Sequence, residues 1–123
     1  MKRNSPQEMT IHQLVQRFTE IALEQDQALL RNEHRRFNRL FDDMEIVEEE
    51  LKAREGDQRS ALLPLYHHDN AQVRLKAVKA TLAVAPEAAR HMLKVIAESR
   101  QYPQAGEAGM SLVNLDRGIF KPT

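Results

Sequence analysis

Apolar side chains recur along the chain at spacings of three and four residues, the repeat of one face of an α-helix. Two such stripes predict long amphipathic helices over residues 11–31 and 33–55. Their members are Ile11, Leu14, Val15, Phe18, Ile21, Ala22 and Leu29, and then Phe37, Leu40, Phe41, Met44, Val47 and Leu51. The strict alternation that marks a strand is nearly absent, so the pattern predicts an all-α protein.

Capping residues set the ends of these two helices. Thr10 suits the N-cap of the first, and Asn32 is the best candidate for the division between them. Gly56 suits the end of the second helix, and Asp57 can cap the third.

Four shorter helices are predicted in the second half. The third, "QRSALLPLYHH", contains Pro64, which permits helix only as a kink or near the first turn. A fourth, "AQVRLKAVKATLAVA", is apolar over most of its circumference and is expected to pack on two sides. Pro86 opens a fifth helix over residues 86–100, and Gly118 ends a sixth near residues 104–116. Because the connections are short, we expect three stacked antiparallel hairpins.

The stretch "LLPLYHHDNAQVRLKAVKATLAVAPEAARHML" resembles a HEAT or armadillo repeat. Such repeats place leucines in a first helix, an aspartate in the turn, and Val-Arg followed by small residues in the second helix. The matching positions are Leu62, Leu63, Leu65, Asp69, Val73, Arg74 and Ala77, with Leu82 and Ala85-Pro86-Glu87 completing the pattern.

Most of residues 20–119 also resembles a small bacterial family, the domain of unknown function DUF2019. The segments that carry the resemblance are "EIALEQDQALL", "NRLFDDMEIVEEELKAREGDQRSALLPL", "QVRLKAVKATLAVAPEAAR" and "PQAGEAGMSLVNLDRGI". The resemblance implies an armadillo-like helical fold and brings no activity or catalytic residue. We therefore expect one domain over 1–123, in which residues 9–55 form a capping hairpin, 58–117 form HEAT-like helices, and 1–8 and 119–123 fray.

Composition narrows the function classes. The chain has 18 basic and 18 acidic side chains, a balance that disfavours a protein whose main task is neutralising phosphates. There are no cysteines, so disulfides and thiolate metal sites are excluded. No segment approaches the roughly 18 apolar residues of a membrane span, and no apolar run follows the charged N-terminus. These features predict a cytoplasmic protein without membrane association.

The run His67-His68-Asp69 raises the possibility of a metal site. Adjacent helical residues point about 100° apart, so neighbouring histidines rarely share one metal, and further ligands such as His91 or Asp116 would be needed. Histidines at a helix C-terminus are favoured by its dipole, and Asp69 or Asn70 can cap the next helix. We interpret the run as a turn, with Asp69 and Arg74 tying it together.

Other polar and small residues have structural explanations. Gly106 and Gly109, in the small-residue run 105–109, predict a close approach of another backbone, more often that of the preceding helix than that of a ligand or a partner protein. Gln25 falls on the apolar stripe of the first helix, and Asn38 is its predicted hydrogen-bond partner. No metal, cofactor or catalytic residue is predicted, because no nucleophile–base ordering, phosphate loop or carboxylate pair stands out.

Charged runs are the remaining candidates for a functional surface. The basic run "RNEHRRFNR" is a weak nucleic-acid signal, because its phenylalanine belongs to the apolar stripe. Acidic side chains follow on the outer side of the same helix, and lysines lie on the polar strip of the fourth. The candidate partner-binding residues are Asp42, Asp43, Glu45, Glu49, Lys76 and Lys79.

These observations favour a non-catalytic protein–protein interaction domain that binds an unidentified protein through the charged second helix or a groove. One alternative is an immunity-type protein that binds a toxin. Another, from a different class, is an enzyme or a nucleic-acid-binding module that uses the helical groove.

Overall fold

The computed structural model describes residues 5–123, and within them every regular element is helical. The α-helices are α1 (Ile11–Leu30), α2 (His34–Ala53), α3 (Ala71–Ala80), α4 (Pro86–Glu98) and α5 (Gln104–Asp116). Two 3-10 segments, Pro6–Glu8 and Gln58–His67, complete the described elements. The all-α prediction is confirmed. Among the described helices, none combines the length and the apolarity needed to cross a bilayer.

The chain divides into two compact units, with Ala61 the last residue of the first and Leu62 the first of the second. In the first unit, α1 and α2 pack together across a three-residue connection. The Thr10 hydroxyl accepts from Gln13 N while the Gln13 side chain accepts from Thr10 N, so α1 begins at a complete capping box. Asn32 lies just beyond α1 in the left-handed region at φ 54°, the conformation expected where a helix terminates. The buried apolar side chains are Leu14, Phe18, Ile21, Ala22, Ala28, Leu40, Met44, Val47 and Leu51.

In the second unit, α3 contacts both α4 and α5, and α4 packs along α5. Seven of the ten residues of α3 are buried, which confirms that it packs on more than one side. Pro86 stands at the first position of α4, and Gly118 (φ 68°) follows the end of α5, both as predicted.

Two elements differ from their predicted forms. Residues Gln58–His67 are a 3-10 helix, because Pro64 has no N–H to donate and its ring would clash with an α-helical carbonyl four residues earlier. The fourth predicted helix ends at Ala80 instead of continuing to Ala85. Thr81 bonds back through its hydroxyl to the carbonyls of Ala77 and Val78, which competes with continuation of the helix.

The described parts of both termini, which the sequence predicts to fray, make contacts with neighbouring residues. Pro6–Glu8 form a short helix, and Arg54 Nη2 donates to the carbonyl oxygens of Pro6 (3.2 Å) and Met9 (2.8 Å). At the other end, the amides of Ile119 and Phe120 both donate to the carbonyl of Asn114, at 2.9 and 3.2 Å. Residues 1–4, also predicted to fray, lie outside the described residues.

Candidate functional site: an acidic groove on the second helix

The outer side of α2 carries a shallow groove of about 600 Å³, here called the acidic groove. Its lining residues are Gln7, Asp42, Glu45, Ile46, Glu49, Glu50 and Ala53. The members from α2 are spaced by three and four residues, so they share the helical face opposite the buried stripe of Met44, Val47 and Leu51. The groove therefore occupies the face of α2 that does not pack into the core of the unit.

Arg54 fixes one end of the acidic groove. Its Nε donates to Glu50 Oε2 at 2.5 Å, and its Nη2 donates to the backbone carbonyls of the Pro6–Met9 segment. These bonds hold Gln7 beside α2, where it contributes to the lining. The sequence analysis missed Arg54, and its position one turn after Glu50 was the signal available for an i,i+4 ion pair.

Three of the four carboxylates of the acidic groove face solvent. Asp42, Glu45 and Glu49 are exposed, and among residues 5–123 no basic side chain lies within ion-pair distance of any of them. Ile46 lies among these carboxylates with 52% of its surface exposed. An exposed aliphatic side chain between like charges combines an apolar contact point with a negative field.

Asp43 does not line the groove. Its position, about 100° around the helix from Asp42, turns it toward α1, where Oδ2 is 4.0 Å from Arg17 Nη2. Arg17 also approaches Glu24 at 3.7 Å, and Arg36 reaches the same carboxylate at 3.7 Å. Asp43 thus belongs to an ion-pair network that joins α1 to α2.

Lys76 and Lys79 lie in the second unit and face α5. Lys76 is only 6% exposed, so it does not form part of the solvent-facing strip that its spacing predicted. Lys79 Nζ donates to Glu107 Oε2 at 2.9 Å, and Lys76 Nζ is 3.8 Å from the same oxygen. One turn earlier, Gln104 Nε2 donates to Gln72 Oε1 at 2.9 Å, with both side chains buried. The polar strip of α3 is thus an internal contact with α5, here called the polar seam.

His67 is the last residue of the 3-10 helix, and His68 and Asp69 lie in the turn that leads to α3. Asn70 caps α3, since its Oδ1 accepts from the amides of Gln72 and Val73. Among the described residues, no group of three or more histidine, aspartate or glutamate side chains is placed to hold a metal ion.

Arg74 ties this turn together through charge-assisted hydrogen bonds to backbone carbonyls, and not through an ion pair with the Asp69 carboxylate. Its Nη1 donates to the backbone carbonyls of His68 (2.7 Å) and Asp69 (2.8 Å). Its Nη2 donates to Gln101 Oε1 at 2.7 Å, which links the turn to the segment before α5. Carbonyl oxygens of a turn converge where a planar guanidinium can reach two at once, which leaves the Asp69 side chain exposed.

The close approach predicted at Gly106 and Gly109 is not found. A β-carbon at Gly109 would meet nothing within 4 Å, and one at Gly106 would meet only the Tyr102 ring at 3.9 Å. The buried small residues of this run are Ala105 and Ala108, which lie on the neighbouring face of α5. The alanines, and not the glycines, allow α5 to pack closely.

The predicted pairing of Gln25 with Asn38 is also wrong. Gln25 is fully buried, and its Nε2 lies 4.0 Å from Met44 Sδ as a donor to sulfur. Asn38 is exposed, at the outer edge of its helix. The sequence therefore identified the buried amide but not its neighbour.

Comparison with known proteins finds a family model and a solved structure that match this chain. The model of the domain of unknown function DUF2019 matches residues 12–116. The chain belongs to this family. Its fold matches the crystal structure of the protein RPA1889 from Rhodopseudomonas palustris CGA009, with a TM-score of 0.94 and 53% sequence identity, over 98% of this chain and 100% of that one. No curated protein matches the DUF2019 chain described here, and neither comparison attaches an activity to the fold.

Proposed function

We propose that this DUF2019 protein is a non-catalytic protein-interaction domain whose acidic groove binds a basic segment of a partner protein. The observation that supports the proposal is the groove itself, with exposed carboxylates on successive turns of α2 around an exposed isoleucine.

The spacing of the groove residues suits a short peptide segment. At 1.5 Å per residue, the helical rise from Asp42 to Glu49 is about 10 Å, and from Asp42 to Ala53 about 16 Å. Two or three basic side chains on one face of a bound segment span a similar length. Ile46 offers an apolar contact beside the carboxylates. A bound segment that carries one aliphatic side chain among its basic ones would therefore match the groove.

The sign of the groove's charge favours a protein over a nucleic acid. The carboxylates of Asp42, Glu45 and Glu49 would repel phosphates, whereas they attract lysine and arginine side chains. We also propose that the second unit is a repeat of the HEAT or armadillo type and that the protein acts in the cytoplasm. The Val73-Arg74 opening of α3 and the Asp69 turn support the repeat assignment.

The proposal is tested with a fluorescent peptide that carries three lysines and one leucine at helical spacing. Binding is measured by anisotropy for wild type, for Glu45→Gln/Glu49→Gln, and for Glu87→Gln/Glu98→Gln. The second double variant changes the net charge equally at exposed positions of α4. We expect about tenfold weaker binding for the groove variant at low salt, with the difference shrinking as salt rises.

The control variant should bind like wild type. Equal binding of the peptide by both double variants would remove the groove from consideration. Preference for a single-stranded oligonucleotide over the peptide would replace a protein partner with a nucleic acid.

A further inference from the structure

A second cavity, of about 160 Å³, lies in the second unit and is here called the C-terminal pocket. It is lined by Lys79, Leu82, Ser111, Asn114 and Phe120. These residues come from the end of α3, the turn after it, one face of α5, and the chain that follows α5. The volume is similar to that of engineered protein cavities of about 150 Å³ that take up benzene, so one ring-sized group fits.

The shape of this pocket is set by backbone contacts. After α5 the chain reverses at Gly118, whose φ of 68° lies in the left-handed region. The carbonyl of Asn114 then accepts from the amides of Ile119 and Phe120, which holds the Phe120 side chain over the cavity. Leu82 is 4% exposed and forms the apolar wall at the end of α3. The apolar part of the pocket is therefore built before any ligand arrives.

One side of the pocket offers hydrogen-bond donors. Lys79 Nζ uses one N–H toward Glu107 at 2.9 Å, and an ammonium has three to give. Within residues 5–123, the Ser111 hydroxyl and the Asn114 side-chain amide engage no hydrogen-bond partner. These three polar groups lie at the same cavity as Leu82 and Phe120.

The balance of charge favours an anionic ligand. Glu107 accepts from Lys79 at 2.9 Å and lies 3.8 Å from Lys76, so two ammonium groups lie beside this carboxylate. Residues 62–123 carry eight basic and five acidic side chains, so the unit that contains the pocket has a net positive charge.

We propose that the C-terminal pocket binds a small carboxylate that bears one ring-sized apolar group. The ring lies against Leu82 and Phe120, and the carboxylate accepts from the Lys79 ammonium, the Ser111 hydroxyl and the Asn114 amide. The site is independent of the acidic groove, so a failure of either proposal leaves the other standing.

The experiment follows backbone amide resonances of the full chain during titration with benzoate, benzyl alcohol or benzylamine. We expect benzoate at millimolar concentration to shift the amides of Ser111, Asn114 and Phe120, with benzyl alcohol weaker and benzylamine without a localised effect. Lys79→Gln should weaken benzoate binding by about tenfold, the loss of a charge-assisted hydrogen bond. Lys94→Gln, the same charge change at an exposed position of α4 outside the lining, should leave binding unchanged.

Ser111→Ala provides a second variant, because it removes one donor and leaves the Lys79–Glu107 pair in place. It should weaken benzoate binding and leave that of benzyl alcohol unaltered. Equal binding of benzoate and benzyl alcohol, equal effects of Lys79→Gln and Lys94→Gln, or no localised shifts with any of the three compounds would overturn the proposal.

Discussion

The two units of the chain place their charged and polar side chains in opposite ways. In the first unit, the carboxylates of Asp42, Glu45 and Glu49 on α2 point away from the core and line an open groove, while the apolar stripe on the other side of the helix packs against α1. In the second unit, the polar strip of α3 faces α5, where Gln72 and Lys76 are buried against Gln104 and Glu107.

This difference shows that a polar strip on a helix does not by itself mark the solvent side. A helix that packs on one neighbour has one inner face, and its polar strip stays outside, as in α2. A helix that packs on two neighbours has little outer face left, so its polar residues must find partners inside. In α3 those partners are supplied by α5 at the matching helical spacing of Gln104 and Glu107.

The largest expected effect comes from removing the charge of the polar seam at Glu107. Glu107→Gln should lower the free energy of unfolding by about 2–3 kcal/mol, because the buried ammonium of Lys76 loses its nearby carboxylate. That figure lies below the usual cost of breaking a buried pair because the Glu107 side chain is itself 41% exposed and partly screened. Urea unfolding measures the change, and Glu45→Gln in the acidic groove should stay within about 0.5 kcal/mol.

The same contrast should appear on acidification. Burial raises the pKa of Glu107, but the ammonium groups of Lys76 and Lys79 outweigh it and hold that pKa below the ordinary value. A carboxyl with a lowered folded pKa stabilises the protein above the unfolded pKa, and this stability is lost as pH falls through the folded pKa. Wild type should therefore lose more stability than Glu107→Gln between pH 5 and pH 3, about the range of acidic titration. Parallel losses would mean that the seam does not couple to pH.

The neutral half of the polar seam gives the next effect. Gln104→Leu should cost about 1–2 kcal/mol, because Gln72 Oε1 loses a donor within the core. The double variant Gln72→Leu/Gln104→Leu should recover part of the loss, since neither amide then remains to be satisfied. Additive losses in the double-mutant cycle would show that the two amides act separately.

The sequence predicted the helices more reliably than the side-chain contacts, for a physical reason. Capping and proline chemistry are local, so Thr10, Pro86 and Gly118 were identified from their neighbours alone. Helical spacing likewise identified the buried residues Leu40, Met44, Val47 and Leu51 of α2, although Phe41 of the same predicted stripe is exposed. The residues Asp42, Glu45 and Glu49, which lie on the remaining face, line the groove. The partners of Gln25 and Arg74 depend on which element packs where, and a periodicity does not contain that information.

Lys76 is the instructive failure. Its lysine identity favours solvent, and its spacing from Gln72 matches a polar strip, so both local signals agreed and were wrong. Lys76 is buried beside the carboxylate of Glu107, which carries the opposite charge. Glu107 lies 31 positions further along the chain, so the residues around Lys76 do not reveal it. The apolar remainder of α3 was the available hint, because a helix buried on two sides leaves no room for a solvated strip.

Removing a helix cap should lower the stability by a similar amount in both units, because capping is local and does not depend on how the polar side chains pack. Asn70→Ala should cost about 1 kcal/mol, because Oδ1 no longer accepts from the amides of Gln72 and Val73. Thr10→Ala should cost a similar amount through loss of the capping box. Asp69→Ala is the matched control beside Asn70, and thermal unfolding should show little change, since Arg74 uses the backbone carbonyl of Asp69 and not its side chain.

The smallest expected effect is an increase in the free energy of unfolding. It distinguishes an exposed carboxylate of the first unit from an exposed carboxylate of the second. Glu45 and Glu49 lie four residues apart on the exposed face of α2, in the C-terminal half of the helix, where like charges and the helix dipole both act against them. Glu49→Gln should therefore raise the free energy of unfolding by about 0.2–0.5 kcal/mol at low salt. Glu87→Gln, in the first turn of α4, should lower it by a similar amount, because a carboxylate there is favoured by the dipole. Both changes should shrink at high salt, since they arise between exposed charges. A loss of stability in Glu49→Gln would show that this carboxylate stabilises the fold. Such a result would contradict the proposal that the acidic groove is charged in order to bind a partner.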